Sequence, residues 1–312
     1  MPHSFPFLLV DAFTDVPLGG NPCAVVLDAD VLTEEQMQRL AREFNQSETA
    51  FVRRSAVADF GVRYFTPVEE IPLAGHPTIA TLTALLHAGR LPQPPPGTSL
   101  RLQLELLEGP IDVEVLPPAA PGAPAPVWMT QRRPTFGLTH DPATVLPFFG
   151  LTPDDVLPGA PLRTVSTGTP QLMVLLRDAG ALRRAHLADA AGLDQYRAAS
   201  DFFSTHLFCL GGATAAGHTF ARHFCTPPDV VEDPVTGSAT GGMAAYLWHY
   251  GHLTQPNFVA EQGHWLGRPG TVHVSLVGTP TAMQAVRIGG TGRVVVSGTL
   301  TVYWRGGEMV NW

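Results

Sequence analysis

The sequence has few cysteines, few charged residues and no hydrophobic run long enough to span a bilayer. Its three cysteines, Cys23, Cys209 and Cys225, are an odd number without Cys-x-x-Cys spacing, which argues against a disulfide framework and a thiolate zinc site. Charged residues make up 15% of the 312 residues and hydrophobic residues 45%, so the chain can build a large core. Because the N-terminus also lacks a signal-peptide pattern, we expect a soluble, cytoplasmic protein with no membrane partner.

Motifs for nucleotides, nucleic acids and metals are also missing from the sequence. No Gly-x-Gly-x-x-Gly follows a predicted strand and no phosphate-binding loop with a lysine occurs, so a nucleotide cofactor is not indicated. The formal charge of −8 argues against a nucleic-acid partner. This net charge does not exclude a small anionic metabolite as a partner, because backbone N–H groups at a helix start can hold an anion. Histidines at metal-like spacing, such as His218 and His223, lack a third ligand.

An internal repeat is the most informative feature that the sequence does contain. Gly75 and Thr78 recur 162 residues later as Gly237 and Thr240. The same offset relates Leu85, His87, Gly89 and Leu91 to Leu247, His249, Gly251 and Leu253. An offset of 148 residues relates Gly20, Pro22, Val26 and Leu27 to Gly168, Pro170, Val174 and Leu175. A duplicated chain of this length predicts two similar lobes of about 150 residues each.

The pattern within each lobe indicates strands around one main helix. Thr33 to Phe44 is typical of a helix, because Thr33 and Gln36 can form a capping box. Two more helices are predicted over Pro77 to Gly89 and Ser238 to Gly251, each ended by a glycine. Strands are expected to dominate the rest, notably Phe7 to Ala12, Ala24 to Leu27, Thr49 to Val52, Gly61 to Thr66, Leu100 to Val115, Arg222 to Thr226, Val272 to Val277 and Arg293 to Trp304. The prediction is an α+β protein with mostly antiparallel strands.

A segment that is poor in large apolar residues separates the two lobes. Residues 117–126 contain little but Pro, Ala and Gly, a composition that cannot pack a core. We therefore predict an N-terminal lobe over 1–120, a linker over 117–126 and a C-terminal lobe over 127–292. Whether the last strand, at about 293–304, returns to the first lobe is left open.

Polar residues that could carry chemistry concentrate at turns, where rigid flanking elements can hold them. Ser47 and Glu48 lie between the capped helix and an apolar strand, and a glutamate there could exchange a proton with a substrate. The commoner role of such a residue is a solvated loop carboxylate. Gly75 and His76 lie at the start of a predicted helix, where the histidine could donate a hydrogen bond or carry a proton. A capping or packing role is again the commoner one.

The third such place occupies the matching position of the second lobe. Asp233, Gly237 and Ser238 belong to a polar segment directly before the second repeated helix. Acidic residues before a helix are often only caps. Two helix starts in matched places with different polar residues are nevertheless what a shared site with unequal halves requires.

These motifs, in this order, resemble the phenazine-biosynthesis PhzF-like family, whose architecture is shared with diaminopimelate epimerase. The resemblance is carried by Val10 to Phe13, by Gly20, Asn21 and Pro22, by Asn45 to Val52, Phe65 to Pro67, Gly75 to Pro77 and Glu232 to Ala239, and by Gln262 with Gly267, Arg268 and Pro269. It implies two pseudo-repeated lobes, each a sheet or barrel wrapped around a central helix. It also implies an active site between the lobes and, usually, a homodimer.

The resemblance assigns roles to the three polar places. The glutamate after Asn-x-Ser, here Glu48, is the general acid/base, and the histidine of Gly-His-Pro and the aspartate of Glu-Asp-x-x-Thr-Gly-Ser are His76 and Asp233. The hypothesis adds five substrate-binding residues, namely Asn21, Ser47, Gly75, Gly237 and Ser238. Backbone amides at the helix starts would hold a carboxylate and polarise a developing enolate.

The characterised chemistry of the family is isomerisation of trans-2,3-dihydro-3-hydroxyanthranilate, which moves a proton between ring carbons without a cofactor. We therefore expect a cofactor-independent isomerase of a small carboxylate. Epimerase relatives place a cysteine at each of the two helix starts, where this chain has His76 and the segment from Asp233 to Ser238, so two-thiol racemisation is not expected. Two alternatives stay open: a racemase or epimerase with a non-cysteine partner for Glu48, and a metabolite-binding protein without turnover.

Overall fold

The computed structural model describes residues 2–227, 230–305 and 308–309. Its internal contacts divide the chain into two compact units. The first contains the residues up to Leu18, Pro22–Trp128 and the segment from Thr291 onward. The second contains Gly19–Asn21 and Met129–Gly290. The Pro/Ala-rich residues 117–126 lie between two strands near the end of the first unit's central segment.

The elements follow one another with short connections. The strands are β1 (Pro2–Ala12), β2 (Asn21–Val26), β3 (Glu48–Arg53), β4 (Phe60–Phe65), β5 (Glu70–Ile71), β6 (Leu100–Leu106), β7 (Gly109–Val115), β8 (Val127–Gln131), β9 (Thr135–His140), β10 (Leu162–Ser166), β11 (Pro170–Leu175), β12 (Ser204–Leu210), β13 (Thr219–Phe224), β14 (Glu232–Asp233), β15 (Asn257–Gln262), β16 (Gly270–Thr279), β17 (Ala282–Gly290), β18 (Gly292–Arg305) and β19 (Glu308–Met309). The α-helices are α1 (Glu34–Phe44), α2 (Gly75–His87), α3 (Pro142–Val145), α4 (Ala179–Arg184), α5 (Ala190–Ala198) and α6 (Gly237–His249).

Helix α1 forms where the sequence predicts it and for the predicted reason. The side chain of Thr33 accepts from the backbone N–H of Gln36, and the side chain of Gln36 accepts from the backbone N–H of Thr33. This capping box satisfies two N–H groups that a helix start otherwise leaves unpaired. The buried face of α1, including Met37 and Leu40, packs with Phe51 and other apolar residues of the first unit.

Helices α2 and α6 are the central helices of the two units. Both have buried residues on every side, and α6 is buried from Gly237 to Trp248. A helix that is apolar all round is stable only inside a core. Accordingly, α2 packs against β1, β3 and β18, and α6 packs against β10, β11, β16 and β17. The predicted α+β class, with a sheet around one central helix in each unit, is confirmed.

The two units repeat one strand topology. In the first unit β2 pairs parallel with β3, β3 antiparallel with β4, β4 antiparallel with β5 and parallel with β6, and β6 antiparallel with β7. The second unit repeats this order and these directions with the six strands from β11 to β16. In each unit, the central helix follows the short fourth strand of the series.

An ion pair at one equivalent position supports this correspondence. In the first unit Arg63 of β4 forms a two-point contact with Glu70 of β5. In the second, Arg222 of β13 donates from Nε and Nη2 to Glu232 of β14, at 2.7 and 2.6 Å. Bidentate pairs of this kind fix geometry as well as charge. The strand register therefore aligns the two units residue by residue. The sequence offsets alone did not give such an alignment.

The last long strand of the chain belongs to the first unit. Strand β18 runs antiparallel to β1, from Gly292 opposite Ala12 to Tyr303 opposite Pro2, with a bulge at Leu9 and Val10. The predicted strand over 293–304 is thus present and extends the sheet that α2 packs against.

The prediction that strands dominate the remainder missed three helices, α3, α4 and α5, within residues 142–198, which also contain β10 and β11. These helices are short, and α5 buries only Leu193, so they lack the apolar stripe that identifies a helix in sequence. Their starts carried a usable signal, since Asp141, Asp178 and Asp189 each cap a backbone N–H of the helix that follows. Within the described parts of the chain, no helix has the length and apolar character needed to cross a membrane.

Replacing Thr33 by alanine removes the hydroxyl of the capping box and should lower the free energy of unfolding by about 1 kcal/mol. Thr33→Ser keeps the hydroxyl and is the matched control, with an expected change of a few tenths of a kcal/mol. Chemical denaturation of both variants measures the difference. Equal losses in the two would show that the hydroxyl does not stabilise α1.

Candidate active site

Glu48 and His76 meet in the first unit. Glu48 is the first residue of β3 and His76 is the second residue of α2. Their side-chain atoms Oε2 and Nε2 lie 3.2 Å apart, and the two side chains are 20% and 4% exposed. At this distance the carboxylate and the imidazole are in direct contact. The glutamate therefore has a buried partner and a path to the surface of its unit.

The local sequence places Glu48 there by a sharp reversal. Asn45 ends α1 in the left-handed conformation, with φ of 50°, which asparagine tolerates better than most residues. Three residues later the chain enters β3 beside β2, where Cys23 lies opposite Glu48. Ser47 is half-buried directly before the strand. Residues 45–48, with the sequence Asn-Gln-Ser-Glu, thus form the turn that directs the Glu48 carboxylate toward the start of α2.

Burial determines the charge of the groups around Glu48. It lowers the pKa of His76 to about 3, so the imidazole is neutral near pH 7. Burial, with the neighbouring Glu48 as a smaller cause, raises the pKa of Cys23 well above its usual value. The thiol beside Glu48 is therefore protonated, which makes it a poor nucleophile.

Asp233 is the centre of a second polar set, in the second unit. It lies in β14 and is 8% exposed. Asn21 donates from Nδ2 to Asp233 Oδ1 at 2.7 Å and to the carbonyl of Val235 at 2.9 Å. The hydroxyl of Thr236 donates to Asp233 Oδ2. Burial raises the pKa of Asp233 to about 6 against the lowering effect of the bonds from Thr236 and Asn21, which suits proton exchange near neutral pH.

Gln262 fixes the loop that carries Asp233. Its Nε2 donates to the carbonyl of Asp233 at 2.7 Å, and its Oε1 accepts from the N–H of Thr236 at 3.1 Å. A neighbouring arginine, Arg268, holds residues 19–21 by donating to the carbonyls of Gly19 and Gly20 at 2.9 and 3.0 Å. Two motifs about 250 residues apart thus meet and set the position of Asn21.

The start of α6 is held by two buried glutamines. Gln131 donates to the carbonyl of Gly237 at 3.0 Å, and Gln171 donates to Ser238 Oγ at 3.0 Å. Neither α2 nor α6 is capped by the side chain at its N-cap, because Ala74 has no polar group and Thr236 is engaged with Asp233. N–H groups of an uncapped first turn attract an anion.

The structure thus brings the predicted residues together in two sets, one in each unit. Glu48 and His76, with Ser47 and Gly75 next to them in sequence, belong to the first unit. The second unit holds the other four, namely Asn21, Asp233, Gly237 and Ser238. Helices α2 and α6 begin at Gly75 and Gly237, one or two residues before the predicted starts.

Sequence reasoning missed Gln131 and Gln171 as parts of the second set, whereas Thr236 is the threonine of the Glu-Asp-x-x-Thr-Gly-Ser motif. One signal for Gln171 was available, because the repeat with an offset of 148 residues places it where the first copy has Cys23. No comparable signal marked Gln131. Among the described residues, no group of three or more His, Cys, Asp or Glu side chains could hold a metal ion.

Several known proteins are similar to this chain over nearly its whole length. The family model of phenazine biosynthesis-like proteins matches residues 10–298. An uncharacterised isomerase of Salmonella typhimurium is 35% identical, over 90% of this chain and 93% of the relative. The trans-2,3-dihydro-3-hydroxyanthranilate isomerase of Pseudomonas fluorescens is 33% identical, over 95% of this chain and 99% of the relative. The crystal structure of a PhzF-family phenazine biosynthesis protein from Bacillus anthracis superimposes with a TM-score of 0.83, at 29% identity and over 96% of this chain and 99% of that one.

Asp233→Asn should change how stability depends on pH. Because burial raises the pKa of Asp233 from 3.8 to about 6, the folded state keeps a proton that the unfolded chain loses between these values. The stabilisation is complete below pH 4 and is lost as pH rises through 6. We expect the unfolding free energy of the unaltered protein, relative to the variant, to fall by about 3 kcal/mol between pH 4 and 8.

Asp201→Asn is the control, because the stabilisation from Asp201 is expected to change with pH in the opposite direction. Burial acts to raise the pKa of Asp201, but hydrogen bonds from Thr164 and the N–H of Leu138 outweigh it and leave that pKa low. Its stabilisation is therefore present at high pH and is lost on acidification. Denaturation at several pH values measures both variants. A pH-independent difference for Asp233→Asn would refute the assigned ionisation.

Proposed function

Since the chain belongs to the phenazine biosynthesis-like (PhzF) family and is an isomerase, we propose that it moves a proton within a small carboxylate-bearing substrate, without a cofactor. In this proposal Glu48 is the general acid/base. The observation that carries it is the 3.2 Å contact between Glu48 and His76. A carboxylate on a strand end, against a buried neutral imidazole, suits repeated proton exchange.

The proton transfer is balanced within one substrate molecule. The carboxylate of Glu48 takes a proton from a carbon atom, and the electron pair of the broken C–H bond enters a conjugated enolate or dienolate. Glu48 then returns the proton to a different carbon, which moves the double bond and regenerates the carboxylate. His76, neutral through burial, contacts Glu48 at Nε2 without forming a permanent ion pair, which leaves the carboxylate able to take up and return the proton.

In this proposal the charged group of the substrate binds at a helix start. Backbone N–H groups at Gly75 and Gly237 offer donors from the uncapped first turns of α2 and α6. The hydroxyls of Ser47 and Ser238 add side-chain donors. Preorganised donors of this kind stabilise an enolate without reorganisation during the reaction. A carboxylate on the substrate is therefore a group that the donors of each helix start are suited to hold.

Asp233 is the second proton-exchanging group in the proposal. Its carboxyl oxygens accept from Asn21 and Thr236, which fixes their orientation, and its pKa of about 6 makes both protonation states accessible at neutral pH. Asn21 acts through Asp233 and through the backbone of Val235. Asp233 could thus bind a polar substrate group or exchange a proton with it.

The substrate class follows from the named relative. The Pseudomonas fluorescens isomerase acts on trans-2,3-dihydro-3-hydroxyanthranilate, which has a carboxylate conjugated to ring double bonds. We propose that this chain takes that compound or another carboxylate with a C–H bond that is made acidic by conjugation, through double bonds, with the carboxyl group.

Glu48→Gln removes the base and should lower turnover of trans-2,3-dihydro-3-hydroxyanthranilate by about two to four orders of magnitude. Glu43→Gln changes an exposed carboxylate nearby and should leave turnover unchanged. Product formation is followed by absorbance, with circular dichroism to check the fold. Turnover of Glu48→Gln near that of the unaltered protein would remove Glu48 from the mechanism.

Running the reaction in D₂O distinguishes the outcomes for the substrate. An isomerase incorporates deuterium at a carbon that gains hydrogen and yields a product with a moved double bond. An epimerase incorporates deuterium at the inverted centre and leaves connectivity unchanged, which would contradict the proposed reaction. Mass spectrometry and NMR of the recovered compound decide between them.

A further inference from the structure

Gln171 is a buried glutamine in direct contact with a candidate substrate-binding residue. It is the second residue of β11 and is 1% exposed. Its Nε2 donates to Oγ of Ser238, the second residue of α6, at 3.0 Å. Ser238 itself is 9% exposed. A buried amide is thus committed to orienting one hydroxyl.

The direction of this hydrogen bond follows from the surroundings of the amide. Gln171 Oε1 is buried and has no hydrogen-bond partner among the described residues. Turning the amide over would place the NH₂ group in that position and leave two buried N–H donors unpaired. An unpaired buried carbonyl is tolerated better than unpaired N–H groups. The amide nitrogen therefore faces Ser238.

This bond determines what Ser238 can offer. A serine hydroxyl has one proton to donate and accepts through its lone pairs. Because Ser238 Oγ accepts from Gln171, its proton points elsewhere, and no described residue accepts it. Beside it lies the first turn of α6, which Thr236 does not cap because its hydroxyl donates to Asp233. The start of α6 therefore presents donors.

The repeat shows that this arrangement is particular to the second unit. Cys23 lies opposite Glu48 in the β2–β3 pair, and Gln171 lies opposite Ser204 in the equivalent β11–β12 pair. The first unit therefore has a thiol and a carboxylate where the second has an amide and a hydroxyl. His76 contacts that carboxylate, whereas Ser238 contacts the amide. The two helix starts thus have opposite hydrogen-bonding character.

We propose that Gln171 is a positioning residue that fixes Ser238 as a hydrogen-bond donor, so that the start of α6 selects a substrate carboxylate over an uncharged carboxamide. The inference rests on the proposed function, because it assigns the carboxylate of that reaction to Ser238. In this inference Gln171 acts only through Ser238. A residue with a merely structural role would not depend on Ser238 in this way, so an experiment can distinguish the two roles.

The test is a double-mutant cycle of Gln171→Met and Ser238→Ala. Methionine keeps the length of the side chain but cannot donate. The probes are anthranilate and anthranilamide, which differ only in the carboxylate, with binding measured by calorimetry. Kinetics with trans-2,3-dihydro-3-hydroxyanthranilate gives KM and kcat separately, and circular dichroism verifies folding.

We expect the unaltered protein to bind anthranilate more tightly than anthranilamide. Gln171→Met should weaken anthranilate binding and raise KM by about tenfold or more, with a smaller change for anthranilamide. In the Ser238→Ala background the same substitution should have no further effect on binding. Gln171→Glu, whose carboxylate would accept the proton of Ser238, should weaken anthranilate binding at least as much.

Two results would overturn the inference. One is an equal loss from Gln171→Met with and without the Ser238 hydroxyl, which would indicate a general packing role. The other is an unaltered protein with no preference for the carboxylate probe. Failure of the proposed function looks different: the unaltered protein would bind anthranilate without isomerising the dihydro compound, and the calorimetric cycle would still support or overturn the role of Gln171.

Discussion

The structure depends on the complete burial of two apolar helices. Helices α2 and α6 pack against strands on several sides, so neither helix start can be hydrated as a surface helix start would be. Backbone N–H groups in the first turn still need partners. The strand ends beside each helix place polar side chains near these N–H groups without capping them. Glu48 contacts the side chain of His76 in the first unit, and in the second Gln171 and Gln131 donate to Ser238 Oγ and to the carbonyl of Gly237. The burial that stabilises each unit therefore also decides where polar chemistry is possible.

The two units share one strand topology but carry different side chains near their central helices. The strand pairings match, and Arg63 with Glu70 repeats as Arg222 with Glu232. At the aligned positions near the central helices the residues differ, since the first unit has Cys23, Glu48, Ile71 and His76 where the second has Gln171, Ser204, Asp233 and Ser238. Duplication supplied the geometry, and divergence at these few positions gave one copy a glutamate beside a histidine and the other an aspartate beside donors.

Burial acts on these groups in one consistent direction, toward the uncharged form. It lowers the pKa of His76 to about 3 and raises that of Asp233 to about 6. A histidine that stays neutral cannot hold Glu48 as a permanent ion pair, which keeps the carboxylate able to exchange its proton. An aspartate that titrates near neutral pH can serve as an acid or as a base. Both properties suit an isomerase that must take and return a proton in one cycle.

The sequence by itself determined the local elements and the duplication. Thr33 and Gln36 specify the start of α1 within four residues, because the capping box is a local pattern. Constant offsets between repeated residues reveal two copies, because a repeat is visible when the sequence is compared with itself. Only the tertiary structure decided that Asn21 donates to Asp233, 212 residues away, that Gln171 reaches Ser238, and that His76 is neutral. These depend on strand register and on burial, and both are properties of the whole packed unit, which no local pattern encodes.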